Sequence, residues 1–493
     1  MRRKQNTLES YLLTDRSETE EQEGAPSMSI SQSVDEGPYY DLMERVIDDS
    51  NIKEALEKVV GNRGAPGVDG MTVHELEPWL KTNMEEFKDE LMSGRYTPEP
   101  VRRRDIPKDS GGYRSLGIPT VKDRLVQQMI AQVLTPLYDP TFSDSSYGFR
   151  PGRSPIDAVM KVQEKYDEGY KYGVGIDLEK FFDRVQHEFL MNILRERIKD
   201  KTLIHLIKKF LRAGVLLPDG LVHATREGVQ QGGPLSPLLS NIYLDKLDKE
   251  LERRGHIFCR FADDQLILLK SPRATERVRD SMIRFIEEEL KLKVNREKTE
   301  TGSLRHLKFL GFKITRTKKG TGIAIHPKAL SKFKKRVIAI TKRNRGISVE
   351  GMLSELNSYT KGWIGYFGAC SSDYAIKTLD EWMRRRVRQY IYKQWKKKYN
   401  RVRNLKRLCP DYLRTPVGSV TIEWVKMCWG AVRTDSYWHA AKSKAISQAL
   451  TKRYLKGQGM YFLMDGWSAV QERWTNRRLL RGLAGGVRGQ PGD

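Results

Sequence analysis

Two adjacent aspartates, Asp263 and Asp264, stand in the stretch HIFCRFADDQLILL (residues 256–269). The residues on both sides are aromatic, β-branched or leucine, which is typical of buried strands. Ionised carboxylates are costly in such surroundings. One explanation is a polar hairpin turn, in which aspartate is common. The other is a pair of carboxylates that perform chemistry at the tip of a hairpin.

A third aspartate, Asp177, ends another apolar run in GVGIDLEKFFDRVQH (173–187). If the two strands are neighbours, the three carboxylates converge, and they repel one another unless a hard cation lies between them. Mg²⁺ is the usual cation where carboxylates and substrate phosphates share a site. Two such ions can activate a 3′-hydroxyl and stabilise a leaving pyrophosphate. A nucleotidyl-transfer site is therefore the functional alternative to an acidic turn.

Strands and amphipathic helices alternate between Tyr172 and about Ile314, which predicts a mixed α/β region around one sheet. The predicted strands are YGVGIDL (172–178), IFCRF (257–261), QLILL (265–269) and LKFLGFKIT (307–315), and the predicted helices span 188–199, 235–254 and 272–290.

The flanking regions have different patterns. Residues 1–38 are rich in Ser, Thr and Glu, which predicts a disordered extension. Helices are predicted from Tyr39 to about Asp89, with a Gly- and Pro-rich loop at 61–70. Two short strands follow at 100–120 and a helix at 122–137. After residue 326, long basic amphipathic helices predominate.

The positive charge is concentrated towards the C-terminus. The chain carries a formal net charge of +25, and residues 321–493 hold 35 Lys and Arg against 11 Asp and Glu, with eight of the nine tryptophans. Cations with interleaved aromatic rings suit a nucleic acid partner. An acidic membrane surface is the other polyanion to consider.

The cellular location is expected to be cytoplasmic. No run of about 18 apolar residues is present, so no membrane span is predicted. The opening residues MRRKQNTLES lack the apolar segment of a signal peptide. The four cysteines are scattered without C-x-x-C spacing, which indicates reduced thiols and no zinc site.

Taken together, these motifs resemble the reverse transcriptase–maturases encoded by bacterial group II introns. The matching segments are GAPGVDG (64–70), RRRDIPKDSGGYRSLGIPTVKDRLVQQ (102–128), SYGFRPGRS (146–154), GIDL (175–178), GVQQGGPLSPLLSNIYLDKLD (228–248), FADD (261–264), LKVNREKT (292–299) and LKFLGF (307–312). The likeness continues more loosely through GWIGYF (362–367). The family's zinc-braced H-N-H nuclease has no counterpart among these residues.

The resemblance implies an α+β right-hand polymerase with fingers and an antiparallel-rich palm sheet, followed by an α-helical thumb. The corresponding ranges are 39–320 for fingers and palm, 321–400 for the thumb or maturase domain X, and 401–493 for a basic DNA-binding region. It also implies an RNA-directed DNA polymerase that uses dNTPs and two Mg²⁺ ions. The implied partners are intron RNA, an RNA template–DNA primer duplex and target DNA, and a homodimer is compatible. The protein would associate with the bacterial nucleoid during retrohoming.

By the same resemblance, Asp177, Asp263 and Asp264 are the catalytic metal ligands. The residues that it assigns to the dNTP pocket are Lys108 and Arg114 on the triphosphate, Phe182 as a ring that excludes a ribose 2′-hydroxyl, Gln231 near the incoming base pair, and Lys298 as a proton donor to pyrophosphate. Phe182 and the cations have structural alternatives, namely core packing for Phe182 and solvated surface for Lys108, Arg114 and Lys298. Gln230 stands where the family usually has Pro.

The template–primer contacts implied are Arg150, Arg153, Gly232 and Phe261. The two arginines would bind template phosphates, or else form internal ion pairs, and both alternatives stay open. Phe261 replaces the tyrosine usual in the family. His187 and Cys259 lie beside these motifs, and core packing is the better explanation for both.

Two other functions remain to be separated from an active polymerase. One is an RNA-binding splicing cofactor in which polymerisation is secondary. The other is a host enzyme domesticated for repair or defence. Three convergent carboxylates favour active chemistry, because a pure RNA-binding protein does not need them.

Overall fold

The computed structural model describes residues 37–107, 112–217, 220–318 and 320–485, with side chains as far as residue 476. Residues 1–36, which hold most of the predicted extension, and Lys108 lie outside the described residues. The described chain forms two compact units, an N-terminal unit ending at Leu310 and a C-terminal unit beginning at Gly311.

The N-terminal unit combines helices with two sheets. Its helices are α1 (Leu42–Val46), α2 (Asp49–Gly61), α3 (Val73–Met92), α4 (Val121–Tyr138), α5 (Pro155–Asp167), α6 (Phe181–Arg184), α7 (His187–Arg197), α8 (Lys201–Arg212), α9 (Ser236–Arg253) and α10 (Pro272–Glu288). Its strands are β1 (Val101–Pro107), β2 (Tyr113–Ile118), β3 (Tyr172–Ile176), β4 (Val215–Leu216), β5 (Val222–His223), β6 (Ile257–Phe261), β7 (Asp264–Leu269) and β8 (Glu300–Ser303).

The helix starts follow local sequence signals. Thr72 and Glu75 form a reciprocal capping box at the start of α3, and Ser154 and Asp157 do the same for α5. Each pair satisfies backbone N–H groups that a helix start leaves without partners. The predicted helical region before residue 89 and the helix at 122–137 are confirmed as α1–α3 and α4.

The central sheet has the strand order β6-β7-β3-β8, and all its pairs are antiparallel. Alternate residues of β3 and β7, including Val174, Ile176, Ile267 and Leu269, join the main hydrophobic core. Helix α10 adds Met282 and Ile286 to that core. Because β3 and β7 are antiparallel, the end of β3 lies beside the start of β7, with Ile176 opposite Gln265.

A second sheet has the order β2-β1-β4-β5. Its β1–β2 pair is an antiparallel hairpin, in register from Arg102↔Ile118 to Pro107↔Tyr113. This is the pair of short strands predicted for 100–120.

One strand prediction is wrong in both position and partner. LKFLGFKIT was expected to join the central sheet. The strand instead begins at Phe312 and pairs with the strand Gly320–Ile325 in the C-terminal unit. Leu310 and Gly311 have φ values of 49° and 82°, which end an extended chain before Phe312. The fourth strand of the central sheet is instead β8, which the sequence pattern did not reveal.

The C-terminal unit opens with this hairpin and continues as helices. Its elements are β9 (Phe312–Thr317), β10 (Gly320–Ile325), α11 (Pro327–Ile340), α12 (Val349–Phe367), α13 (Tyr374–Gln394), α14 (Lys398–Arg407), α15 (Ile422–Arg433), α16 (Tyr437–Ala440), α17 (Lys444–Ala449), α18 (Lys452–Gly457) and α19 (Leu463–Gly485). Within the described ranges, no helix has the length and hydropathy needed to cross a bilayer. All four cysteines are buried free thiols.

Candidate active site

The paired aspartates lie at the tip of a tight β-hairpin. Strands β6 and β7 close with the pair Phe261↔Asp264, so Ala262 and Asp263 alone make the turn. Ala262 has a φ of 54°, at the first central turn position, where glycine is normally preferred. An alanine there carries backbone strain, and such strain persists only where surrounding contacts hold the residue in place.

Asp177 is brought to this tip by the register of the sheet. The last pair of β3 and β7 is Ile176↔Gln265, so Asp177 follows β3 beside Asp264, which begins β7. Residues opposite each other on antiparallel strands have Cα atoms about 4.5–5.5 Å apart. The backbone of Asp177 is anchored on its other side, since its carbonyl accepts a hydrogen bond of 2.8 Å from the N–H of Asn295.

The electrostatics of the tip are consistent with three carboxylates close to one another. Burial raises the pKa of Asp263. Burial, together with the charges of Asp263 and Asp177, raises the pKa of Asp264 to about 6. The side chains of Asp263 and Asp264 are exposed, so a cation from solvent can reach both carboxylates. Repulsion of this kind is relieved by a cation.

The segment SYGF (146–149) packs against the end of β6 and the turn of the hairpin. The N–H of Tyr147 donates to the carbonyl of Arg260 at 2.8 Å. A Cβ added to Gly148 would overlap the backbone nitrogen of Ala262, so only glycine permits this approach. Phe149, with a φ of 58° and 41% of its surface exposed, places its ring 6.3 Å from that of Phe261.

Two of the residues assigned to the dNTP pocket contact each other directly. The Nε of Arg114 on β2 donates to Oε1 of Gln231 at 2.8 Å. The N–H of Gly117 donates to the backbone carbonyl of Gln231 at 3.0 Å. Gly232 has a φ of 127°, and a Cβ there would lie 2.6 Å from the carbonyl oxygen of Gly117. The QQGG loop is therefore fixed against β2, and Lys108 lies outside the described residues.

Phe182 is joined to the same loop through its backbone. Its carbonyl accepts a hydrogen bond of 2.6 Å from Val229, one residue before the QQGG loop. The ring is 9% exposed and lies 5.3 Å from the ring of Phe181. Phe181 is 2% exposed, so Phe182 is the less deeply buried of the two.

The arginines of SYGFRPGRS have different surroundings from those expected of template contacts. Arg150 is buried; its Nε bonds to Asp139 at 2.7 Å, and its other nitrogens donate to backbone carbonyls. This geometry supports the internal ion pair left open for Arg150. Arg153 bonds to Asp144 at 2.7 Å but keeps 24% of its side chain exposed.

Three further residues can be placed from their contacts. Lys298 is exposed on the turn that begins at Asn295, the residue bonded to the carbonyl of Asp177. His187 is buried and bonds to the carbonyl of Gly228. Cys259 is fully buried, and burial raises its pKa to about 12. The packing roles expected for His187 and Cys259 are confirmed.

Sequence reasoning did not single out Arg260 or Phe149. Arg260 stands inside the stretch that carries the aspartates, and an arginine in an apolar strand was the available signal. Its side chain is 1% exposed and is paired with Asp248. Phe149 carried no signal in the sequence, because only its positive φ and its exposure distinguish it from a core phenylalanine.

Comparison with known families identifies two regions of the chain. A family described as "Reverse transcriptase (RNA-dependent DNA polymerase)" matches residues 106–314. A second, described as "Group II intron, maturase-specific domain", matches residues 330–409. The three aspartates fall inside the first range, and α12 and α13 fall inside the second.

The chain is also similar to individual proteins. Protein YkfC of Escherichia coli (strain K12) is 33% identical in an alignment of 322 residues. That alignment covers 57% of this chain and 84% of YkfC. The group II intron-encoded protein LtrA of Lactococcus lactis subsp. cremoris is 38% identical over 196 residues, 40% of this chain. The matched part spans only 32% of LtrA. Among solved structures, a chain of a partial Cas6-RT-Cas1–Cas2 complex is 26% identical, covers 50% of this chain and 43% of its own length, and has a TM-score of 0.32.

The residues at the hairpin tip fit a divalent metal ion in type. Reverse transcriptases generally use such an ion, typically Mg²⁺, and Mg²⁺ prefers carboxylate oxygens. Asp177, Asp263 and Asp264 supply them, and the pKa of Asp264 is raised first by burial and then by the charges of Asp263 and Asp177. In the part of the chain that the structure describes, no three acidic, His or Cys side chains already form a single coordination sphere, so the fit rests on the donor set.

The similarity to YkfC extends over most of the length of YkfC, which shows that the two proteins belong to one family. The reverse transcriptase and maturase matches identify that family. This chain belongs to the group II intron reverse transcriptase–maturases, and residues 106–314 form an RNA-directed DNA polymerase domain.

Proposed function

We propose that this protein is an active reverse transcriptase that extends a DNA primer on an RNA template with dNTPs. The observation that carries the proposal is the juxtaposition of Asp177 with the Ala262–Asp263–Asp264 tip through the β3–β7 register. A chain that bound RNA without polymerising would gain nothing from placing three repelling carboxylates together.

The three carboxylates are the residues that would hold two Mg²⁺ ions. When bound, such ions would supply activation of the primer 3′-hydroxyl and charge stabilisation at the leaving pyrophosphate. In the proposed step, a bond forms from the 3′-oxygen to the α-phosphorus as the bond between the α- and β-phosphates breaks. The hydroxyl proton passes to solvent, and the Lys298 ammonium gives a proton to the departing pyrophosphate.

The incoming dNTP is proposed to bind between β2 and the QQGG loop. Arg114 already lies against Gln231, and its guanidinium can offer a bidentate contact to the triphosphate, with Lys108 as the second cation. Gln231 lies beneath the incoming base pair. The ring of Phe182 limits the space available to a ribose 2′-hydroxyl.

The template–primer contacts proposed are Arg153, Gly232 and the aromatic pair of Phe149 and Phe261. The pair lies beside the catalytic turn, where aromatic faces and edges can pack on a terminal nucleotide. Arg150 acts indirectly, by holding the SYGF segment that supports the turn.

The C-terminal unit is proposed to supply the thumb or maturase domain X (321–400) and a DNA-binding region (401–493), after fingers and palm at 39–320. A cavity of about 600 Å³ opens beside the start of α12, where Lys393, Lys396 and Lys397 line its wall together with Arg343. Cations gathered around one cavity suit the phosphates of a folded RNA. Binding of intron RNA here would assist splicing and retrohoming into target DNA.

A primer-extension assay tests the polymerase proposal. The full chain is given a DNA primer annealed to an RNA template, with Mg²⁺ and dNTPs, beside Asp263→Ala. We expect extension by the parent chain and none by the variant. The proposal would be contradicted if the parent makes no product or if the variant extends the primer equally well.

A further inference from the structure

The buried guanidinium of Arg260 connects the catalytic turn to helix α9. The Arg260 and Asp248 side chains are 1% and 0% exposed, and Nε of Arg260 bonds to Oδ1 of Asp248 at 2.8 Å. Nη1 of Arg260 donates to the carbonyl of Ala262 at 3.2 Å. The same side chain therefore contacts both a rigid helix and the turn that carries Asp263.

The strained turn residue is held from two sides. Arg260 binds the carbonyl of Ala262 from one side, and Gly148 lies against the backbone nitrogen of Ala262 from the other. Asn241 links these two supports, since its Oδ1 accepts from Nη1 of Arg260 at 3.1 Å and its Nδ2 donates to the carbonyl of Gly148 at 2.8 Å. Nη2 of Arg260 also donates to Oγ of Ser146 at 2.8 Å.

Stability alone is a poor explanation for this arrangement. A buried ion pair contributes little net stability compared with packed apolar side chains of similar volume. Its directional bonds do, however, fix the geometry of the groups that they join. Asn241 and Asp248 are seven residues apart on α9, two helical turns, and so lie on one face of the helix. That face and Arg260 together hold a left-handed alanine that would otherwise relax.

We propose that Arg260, anchored by Asp248 and Asn241 of α9, is a positioning residue that holds the Ala262–Asp263 turn and thereby aims the carboxylates of Asp263 and Asp264. The inference rests on the proposed polymerase function for its catalytic consequence. Arg260 itself touches neither substrate nor metal. Its effect is transmitted through the backbone of the turn.

Arg260→Lys is the first test variant. Lysine keeps the positive charge and can still pair with Asp248, but it lacks the planar fork that also reaches Ala262, Asn241 and Ser146. Two measurements need no catalysis: hydrogen exchange of the peptide containing residues 258–266, and Mn²⁺ binding without nucleic acid, followed by electron paramagnetic resonance. We expect faster exchange in the turn and a Mn²⁺ dissociation constant raised about tenfold or more, because small misplacements of site groups have large effects.

Ser146→Ala is the milder companion, since it removes a single buried hydrogen bond to Arg260. Its matched control is Tyr243→Phe. That change removes a single buried hydrogen bond, from the hydroxyl of Tyr243 on helix α9 to the carbonyl of Leu290 at 2.6 Å. Both changes should lower stability by similar amounts, because each removes one buried hydrogen bond. Only Ser146→Ala should weaken Mn²⁺ binding, by about threefold.

The outcomes separate this inference from the polymerase proposal. Mn²⁺ affinity and turn exchange equal to the parent's in folded Arg260→Lys would overturn the positioning role. If Arg260→Lys does not fold, Ser146→Ala decides, and values equal to those of Tyr243→Phe overturn it. If the parent chain fails to extend a primer, the polymerase proposal falls, whereas the exchange and Mn²⁺ results still decide how the turn is held.

Discussion

At the scale of single residues, the site combines groups that are individually unfavourable. Asp263 and Asp264 are crowded enough for the pKa of Asp264 to be raised to about 6, and Ala262 between the strands has a φ of 54°. Costs of this kind are expected where geometry serves a reaction. The neighbouring phenylalanines then determine what can bind beside the carboxylates.

Phe182 should set the selectivity between dNTPs and rNTPs. Phe182→Val removes the ring edge and opens space for a 2′-hydroxyl, so discrimination against rNTPs should fall about ten- to a hundredfold. The measurement is kcat/KM for one dNTP and its matching rNTP. Phe181→Val is the control, because it removes the adjacent core ring and should leave the ratio unchanged. Equal ratios in parent and Phe182→Val would remove the gate assignment.

Phe261 should influence how the primer end is held. Phe261→Tyr adds a hydroxyl beside the turn, where it can donate to the nucleic acid backbone. We expect tighter primer–template binding by about two- to tenfold, with a changed misincorporation frequency. Both quantities are measured on the same heteroduplex. If neither changes, Phe261 does not contact the primer terminus.

At the scale of elements, the sequence pattern predicted most of what positions the site. Short apolar runs predicted β3, β6 and β7, because these strands are buried in the sheet, and apolar helical spacing predicted α4 and α9. It failed for β8, where Glu300–Ser303 is short and polar. It also misassigned LKFLGFKIT, since a left-handed break at Leu310 depends on tertiary contacts that composition does not encode.

The candidate site was predictable to the extent that motifs carried it. The three aspartates were apparent as acidic residues at strand ends, and the register of the structure brings them together. The support beneath them was not apparent, because a single arginine such as Arg260 has no partner that can be read from sequence distance. Its hydrogen bond to Ser146 joins residues that are 114 positions apart in the chain.

The start of α4 should make stability depend on pH. Asp123 is buried and accepts hydrogen bonds from Tyr96 and Thr120, and burial raises its pKa from 3.8 to about 6. The folded state therefore binds the proton more tightly than the unfolded state. The stabilising contribution of protonated Asp123 is complete below about pH 4 and is lost as the pH rises through about 6.

Asp123→Asn should remove that contribution. Between pH 5 and pH 7.5 the parent should lose about 1–1.5 kcal/mol more stability than the variant. Native-state hydrogen exchange of α4 amides at the two pH values measures the difference. Identical pH dependence in the two proteins would show that Asp123 is ionised equally in the folded and unfolded states.

At the scale of the whole molecule, the chemistry and the charge are concentrated in different parts of the chain. Residues 321–493 carry a net charge of +24 out of +25, whereas the aspartates lie in the N-terminal unit. The cations around the cavity beside α12 should dominate RNA affinity. RNA affinity is measured as a function of salt concentration. Replacing Lys393, Lys396 and Lys397 with Gln should make the negative slope of log affinity against log salt shallower by about 0.7–0.9 for each RNA phosphate that these lysines neutralise in the parent.

A matched triple variant provides the control for charge alone. Lys58, Lys81 and Lys377 each pair with an acidic residue four positions earlier in the chain. Their replacement with Gln changes the net charge equally but removes cations that are already locally paired. Equal salt slopes in the two triple variants would mean that RNA binds through general charge rather than through this cavity.

The most direct test of the central claim is single-turnover incorporation of one dNTP on an RNA template. The comparison is between the parent, Asp177→Asn, Asp264→Asn and the exposed control Asp167→Asn. We predict a rate at least about a thousandfold lower in the first two variants, with primer–template affinity within about threefold of the parent's. Asp167→Asn should match the parent. Incorporation at the parental rate by Asp177→Asn or Asp264→Asn would contradict the account.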